Sequence, residues 1–332
     1  MCYSSLEFTK KKKTFTPPAP RAALADTHGH MGSFRETTPH HVLVRASLAG
    51  VRKLVVPYDP IGDGRSPLDF ARRLESWVDA ARHAMRSALE DGAVPAQPRV
   101  SRGQEELMAD PFALFDNIGI LVGVHPYGAA AYSDEVHALM KEALEHPLYR
   151  GVGEFGLDYH VDAEDMPDPV SREVQMRVMA RQLELACQAG VPAELHLRHE
   201  AGDEERISHR DALAVIDEVG VPSAGLILHC FGEDTATMRE FLDRGCSIAF
   251  GGAATFKRNE EVREAFCACP LDRLLFETDC PYMAPEPVRG LQCEPAMIAW
   301  TVDALCLARA DVTGEIPEDI ALAAWNNAVN ML

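Results

Sequence analysis

Along the chain, short apolar runs alternate with longer stretches in which apolar residues recur every three or four positions. The runs Ala22–His28, Val51–Pro57, Ile118–His125, Gly151–Gly156, Pro192–Leu197, Gly225–Cys230, Cys246–Gly251 and Arg273–Asp279 are eight candidate strands, with the continuous aliphatic character of strands buried on both faces. Between them Ala71, Leu74, Val78, Ala81, Met85 and Leu89 repeat at the spacing of an amphipathic helix, as do Val174, Val178, Leu185 and Ala189. Strands alternating with helices in this number predict an α/β fold, a TIM-like (β/α)8 barrel whose functional residues collect at the C-terminal ends of the strands.

Two stretches depart from that rhythm. About sixty residues separate the second and third strands, where a barrel unit needs roughly thirty; the excess, around 94–117, contains Pro95, Pro98, Gly103 and Pro111 and predicts an insertion made of a helix, a loop and a second short helix. After the eighth strand, Glu294–Ala310 and Pro317–Leu332 read as two extra C-terminal helices, the second opened by Pro317. Residues 1–21, with Lys10–Lys13 and Pro17-Pro18-Ala19-Pro20, read as a mobile basic, proline-rich tail. Residues 22–332 are then expected to form a single domain.

Composition narrows the class. The 332 residues, 47% hydrophobic, suffice for a barrel plus additions. No apolar run reaches the roughly 18 residues of a membrane span, and the N-terminus lacks the hydrophobic core of a secretory signal, so a soluble, cytoplasmic protein is expected. Nine scattered cysteines without a C-x-x-C pair fit reduced thiols. The balance of 32 basic against 51 acidic residues, net −19, opposes non-specific attraction to a polyanion and counts against a DNA-coating protein, so no stable chromatin-type binding is expected. An enzyme acting on a DNA or oligonucleotide end stays open, because bound cations and a few arginines can reverse the field locally.

The chemistry sits at the strand ends. His28 and His30, in Asp26-Thr27-His28-Gly29-His30, share one face of a strand, since side chains alternate. Two imidazoles on one face can share a metal. Glu154 lies among glycines and apolar residues and needs a cation or hydrogen bonds to offset its desolvation. His196, His229 and Asp279 end the fifth, sixth and eighth candidate strands. Six nitrogen and oxygen donors exceed what one tetrahedral zinc requires and suit two divalent ions bridged by a carboxylate, for which Glu154 is the candidate.

The ordered set His28-x-His30, Gly123-Val124-His125-Pro126, Gly153-Glu154-Phe155-Gly156-Leu157-Asp158, His196-x-Arg198, His229-Cys230-Phe231 and Glu277-Thr278-Asp279-Cys280-Pro281-Tyr282 resembles the TatD family of metal-dependent hydrolases within the amidohydrolase superfamily. The resemblance covers roughly residues 24 to 330. It implies that His28, His30, Glu154 and Asp279 hold one metal and Glu154, His196 and His229 the other, in a (β/α)8 barrel that hydrolyses DNA phosphodiesters. The chain departs from the family at Cys293-Glu294-Pro295, where Asn-Glu-Pro is usual, and this bears on substrate contact.

The expected function is therefore a two-metal deoxyribonuclease, acting exonucleolytically on DNA ends, in which the ions lower the pKa of a bridging water. Asp279 is the candidate general base beside Glu154, and His125 and Arg198 are candidate phosphate contacts. Glu277 shares a face with Asp279 and is a candidate for orienting ligands. Four histidines favour Zn, Mn, Co or Ni over Mg, with Mg-supported activity implied by the family. Two alternatives compete: hydrolysis of an aminoacyl-tRNA ester or a small-molecule amide or ester at the same site, and a non-catalytic metal-binding interaction protein.

Overall fold

A computed structural model describes residues 6–96, 103–160 and 169–332. In chain order the elements are β1 (Phe8–Lys10), β2 (Lys13–Phe15), β3 (Leu24–Asp26), α1 (Pro39–Leu48), β4 (Val51–Tyr58), α2 (Pro67–Glu90), α3 (Glu105–Ala109), β5 (Ile118–Val122), α4 (Asp134–Ala143) and β6 (Tyr149–Asp158). There follow α5 (Arg172–Ala189), β7 (Ala193–Arg198), α6 (Ile207–Val219), β8 (Leu226–Leu228), α7 (Thr235–Leu242), β9 (Ser247–Phe250), α8 (Glu260–Ala268), β10 (Leu274–Phe276), α9 (Ile298–Thr313) and α10 (Pro317–Met331). Strands β3 to β10 pair in parallel and in sequence order, forming an eight-stranded sheet wrapped by the helices in a (β/α)8 barrel.

The barrel closes through its upper ends. Between β10 and β3 there is no regular ladder; instead Thr27 N donates to Phe276 O (3.2 Å), Asp279 N to His28 O (2.9 Å) and His30 N to Cys280 O (2.7 Å). Asp26 fastens the same seam, accepting from Thr278 N (2.8 Å) and Thr278 Oγ1 (2.6 Å). Burial pushes its carboxyl up to about 8 against these hydrogen bonds. The lower end is closed by α10: Trp325, Ala328 and Met331 pack against Ala25, Ile227, Ala249 and Leu275, and Asn327 Nδ2 donates to Leu271 O and Leu274 O. The barrel therefore opens at the C-terminal ends of its strands.

Local sequence sets the helix ends. Ser171 caps α5 by accepting from Val174 N (3.4 Å), and Gly190 ends it in the left-handed conformation (φ 66°). The insertion matches its expected order in part. Helix α2 precedes it, α3 and a 3-10 turn at Ala113–Asp116 complete it, and its centre at 97–102 lies outside the described residues.

Residues 8–21 correct the expectation of a mobile tail. β1 and β2 pair antiparallel as a hairpin. Phe8 is buried beside Trp300, with ring centroids 5.6 Å apart, and the Arg45 guanidinium lies over its ring, 4.8 Å from the centroid. Arg21, 4% exposed, pairs with Asp303 and Glu318, each at 2.7 Å. Composition suggested disorder because lysines and prolines dominate the segment; one aromatic and one arginine anchor it. No helix among the described residues is long and apolar enough to cross a membrane.

Candidate metal centre

The centre is assembled from five strand ends. β6 must deliver Glu154 inward while Val152, Phe155 and Leu157 all face the main hydrophobic core, which simple alternation forbids for positions 152 and 155. A register shift against β7 between those two residues resolves the conflict, as an extra residue re-aims the side chain beside it. Gly123 makes room for the bulge: a Cβ there would lie 2.6 Å from Glu154 O. Cys230 and Asp279 follow β8 and β10 in left-handed conformations (φ 49° and 55°), which turn the chain across the barrel mouth.

The two oxygens of Glu154 face different histidine pairs. Oε1 lies 3.7 Å from His28 Nε2 and 3.4 Å from His30 Nε2; Oε2 lies 3.3 Å from His196 Nδ1 and 3.1 Å from His229 Nε2. Asp279 Oδ1 stands 3.4 Å from His30 Nε2 and 3.9 Å from His28 Nε2. Two donors each bound to an ion at about 2.1 Å and separated by a tetrahedral angle lie about 3.4 Å apart. The spacing, and donors drawn from imidazole and carboxylate, fit divalent metal. His28, His30 and Glu154 form one convergent group and Glu154, His196 and His229 another. All six candidate ligands are thus brought together.

Behind the imidazoles stand carboxylates. His28 Nδ1 donates to Glu194 Oε1 at 2.5 Å, both residues being fully buried. His196 Nε2 is 3.2 Å from Asp158 Oδ2, and His229 Nδ1 is 3.5 Å from Glu277 Oε1, an oxygen that accepts from Cys230 N (2.5 Å). Such partners fix ring orientation and raise ligand basicity. Glu277 therefore stands where its face predicted, and Glu194 was missed, although Glu194-x-His196-x-Arg198 places it on the same face. Replacing Glu194 by glutamine is expected to lower zinc affinity about 10- to 100-fold. Competition with a chromophoric chelator measures it, and unaltered affinity would leave Glu194 a filler of the barrel.

The electrostatics follow. Burial pushes Glu154 up, but His28, His196 and His229 outweigh it and hold the carboxyl well below its usual range. Burial opposes charge on His229 as well; Glu277 and Glu154 reverse this and raise it well above the usual imidazole value. Asp158, despite burial, is brought to about 2 by His196 and Arg198. Acidic groups dominate the cleft, a cavity of about 850 Å³ whose lining includes Asp59, Asp63, Glu154, Asp158, Glu233 and Asp279, with Arg198 the only Arg or Lys among the described lining residues. An anionic ligand would be repelled unless cations occupied the centre.

His125 and Arg198 both line the cleft. His125 Nδ1 accepts from Tyr127 N (3.3 Å), capping the turn at Pro126. Burial and the neighbouring His196 push it down to about 3, so it offers a neutral ring. Arg198 donates to Asp158 Oδ1 (3.0 Å) and to Tyr127 OH (2.7 Å). Glu233, which no sequence pattern singled out, sits at the rim between Arg206 Nε (2.5 Å) and His199 Nε2 (3.3 Å). Cys293 is fully buried in a cluster with Cys280 and Val288, and Glu294 is bound by Arg45; neither lines the cleft.

Comparison with known proteins settles the kinship. The profile of a family described as TatD related DNase matches residues 25–332. The chain belongs to that family. Its relatives include an uncharacterized metal-dependent hydrolase TatD of Mycobacterium tuberculosis, 34% identical over 207 residues that cover 62% of this chain and 73% of the relative. The metal-dependent hydrolase YabD of Bacillus subtilis is 30% identical, covering 70% and 82%. A protein of Erwinia amylovora named 3′-5′ ssDNA/RNA exonuclease TatD is 30% identical, covering 61% and 74%. Among solved structures, the TatD homologue YjjV of Escherichia coli aligns with a TM-score of 0.66 at 24% identity, covering 94% of this chain and 98% of its own, a likeness of fold. This TatD-family chain is a metal-dependent hydrolase with residue clusters able to bind metal ions.

Proposed function

We propose that the chain is a two-metal nuclease that hydrolyses phosphodiester bonds at the ends of single-stranded DNA, working from the 3′ end. The observation that supports two ions is the division of Glu154, one oxygen toward His28 and His30 and the other toward His196 and His229. His28, His30, Asp279 and Glu154 would hold one ion and Glu154, His196 and His229 the other; Zn, Mn, Co or Ni suits the imidazoles better than Mg. Bound there, the ions supply Lewis acidity and offset phosphate charge.

The chain's own groups do the rest. Glu194, Asp158 and Glu277 hold the imidazole rings in place. Asp279 accepts a proton from the attacking water as its oxygen bonds to phosphorus, and returns it to the leaving sugar oxygen as the phosphorus–oxygen bond breaks. Arg198, steadied by Asp158 and Tyr127, binds a non-bridging phosphate oxygen, and the neutral His125 offers it a hydrogen bond. The Erwinia relative's name, 3′-5′ ssDNA/RNA exonuclease, supports strand ends and the direction.

The test is metal-loaded protein on end-labelled single strands with either end blocked, beside a p-nitrophenyl phosphodiester and an aminoacyl ester. Stepwise release of mononucleotides from a free 3′ end, stopped by a 3′ block or by chelation, is expected. An aminoacyl ester consumed faster than DNA would overturn the reading.

A further inference from the structure

We propose that the β1–β2 hairpin and the loop it rests on form a basic strip that binds the phosphates of the single strand whose end lies in the cleft. This rests on the nuclease reading above and adds a second binding region, whose hairpin lies outside the residues that match the family, 25–332.

The hairpin tip is built in a costly way. Lys10 pairs with Lys13, so like charges stand opposite each other across the strands, which is unfavourable. The two-residue turn consists of Lys11 and Lys12, both in the left-handed region (φ 47° and 66°). That turn shape favours Asn-Gly, because L side chains other than Asn and Asp resist it. Four consecutive ammonium groups at a strained turn lower the stability of the hairpin unless an anion offsets them. Strain held in a folded segment is a pointer to function.

The hairpin's seat supplies the second part. Lys10 Nζ donates to Pro287 O (2.9 Å), and Phe8 packs in one cluster with Cys280, Ala284, Val288 and Cys293. These belong to the loop after β10, which carries Asp279 and presents Tyr282 and Met283 to the cleft. The loop is braced from the other side: Glu286 N donates to Thr255 Oγ1 (2.9 Å), and Arg289 lies 4.1 Å above the Phe256 ring. Phe256 leads into exposed Lys257 and Arg258. Lys10–Lys13, Arg289, Lys257 and Arg258 are thus joined through one loop, with Glu7, Glu286, Glu260 and Glu261 as the acidic residues nearest to them in sequence and Asp279 and Glu294 toward the two ends of that loop. In a chain of net charge −19, with Arg198 the only Arg or Lys among the described residues lining the cleft, this strip is where an emerging phosphate backbone meets positive charge.

Replacing Lys11 with Asn and Lys12 with Gly removes two charges while suiting the turn, so the hairpin stays folded; Lys11→Arg with Lys12→Arg keeps the charge. Metal-loaded full chains are compared on a trinucleotide, a 20-nucleotide single strand and bis(p-nitrophenyl) phosphate between 50 and 200 mM salt. For the Asn-Gly variant, kcat/KM on the long strand is expected to fall about tenfold at low salt. Its log–log salt slope is expected to flatten by about 0.7 for each phosphate that the variant no longer neutralises. The trinucleotide and the small diester should be unaffected, and the Arg-Arg variant should match the wild type. A wild type that degrades oligonucleotides, with an Asn-Gly variant equal to it on the long strand at every salt, overturns the strip alone. A wild type that cleaves no oligonucleotide overturns the nuclease reading and the strip with it.

Discussion

Replacing Glu154 by alanine is expected to remove both metals together, and with them activity, by about 10³-fold or more. The expectation comes from position. Among the described residues Glu154 is the side chain that faces both histidine pairs, at 3.1 to 3.7 Å, so its removal strikes both groups of donors at once. Loss of a partner carboxylate behind a ligand typically costs 10- to 100-fold in affinity or activity; loss of a shared ligand should cost more. The same carboxylate bears on the imidazoles: against burial, Asp158 and then Glu154 raise His196, and Glu277 and then Glu154 raise His229. Elemental analysis after dialysis against zinc measures the outcome. One full equivalent retained in the variant would show that Glu154 serves a single ion.

The second large effect belongs to Asp279. Changing it to asparagine should lower kcat about 10²-fold or more while leaving KM and metal content close to the wild type. Asparagine keeps an oxygen for the site and adopts the left-handed backbone of this position, φ 55°, as readily as aspartate does; alanine would add backbone strain to the chemical change. The two carboxylate oxygens have different surroundings, Oδ1 beside His30 (3.4 Å) and Oδ2 beside Cys230 Sγ (3.8 Å). Burial pushes the group up, and His30, with His28 and His229, more than reverses it, holding the carboxyl below its usual range, so Asp279 is ionised at neutral pH. Near-normal turnover in the variant would move the base to Asp158, which lines the cleft, rather than to Glu277, which does not.

What the sequence disclosed depended on how local the signal was. Eight aliphatic runs were readable as strands because burial on both faces leaves no polar alternation to confuse. The six candidate ligands were readable because imidazoles and carboxylates at the ends of such runs carry a desolvation cost that calls for a partner. Glu194 escaped notice because it lies one alternation below His196, inside the strand, where a carboxylate looks anomalous until its histidine is known. The re-aiming of Glu154 rests on a register shift against β7, and pairing register is a property of two segments. The hairpin was missed for a compositional reason: Lys10–Lys13 and the prolines read as disorder, and the anchors Phe8 and Arg21 are single residues whose partners Trp300, Asp303 and Glu318 lie about 280 to 300 positions away.

The seam between β3 and β10 also sets what the centre depends on. His28 and His30 follow the first barrel strand, whereas Asp279, hydrogen-bonded through its amide to His28 O, follows the eighth. A cut in the chain between positions 30 and 279 puts donors of one centre on two fragments, and only the closed barrel holds them together. Metal affinity in this protein is therefore also a reading of whether the barrel is shut.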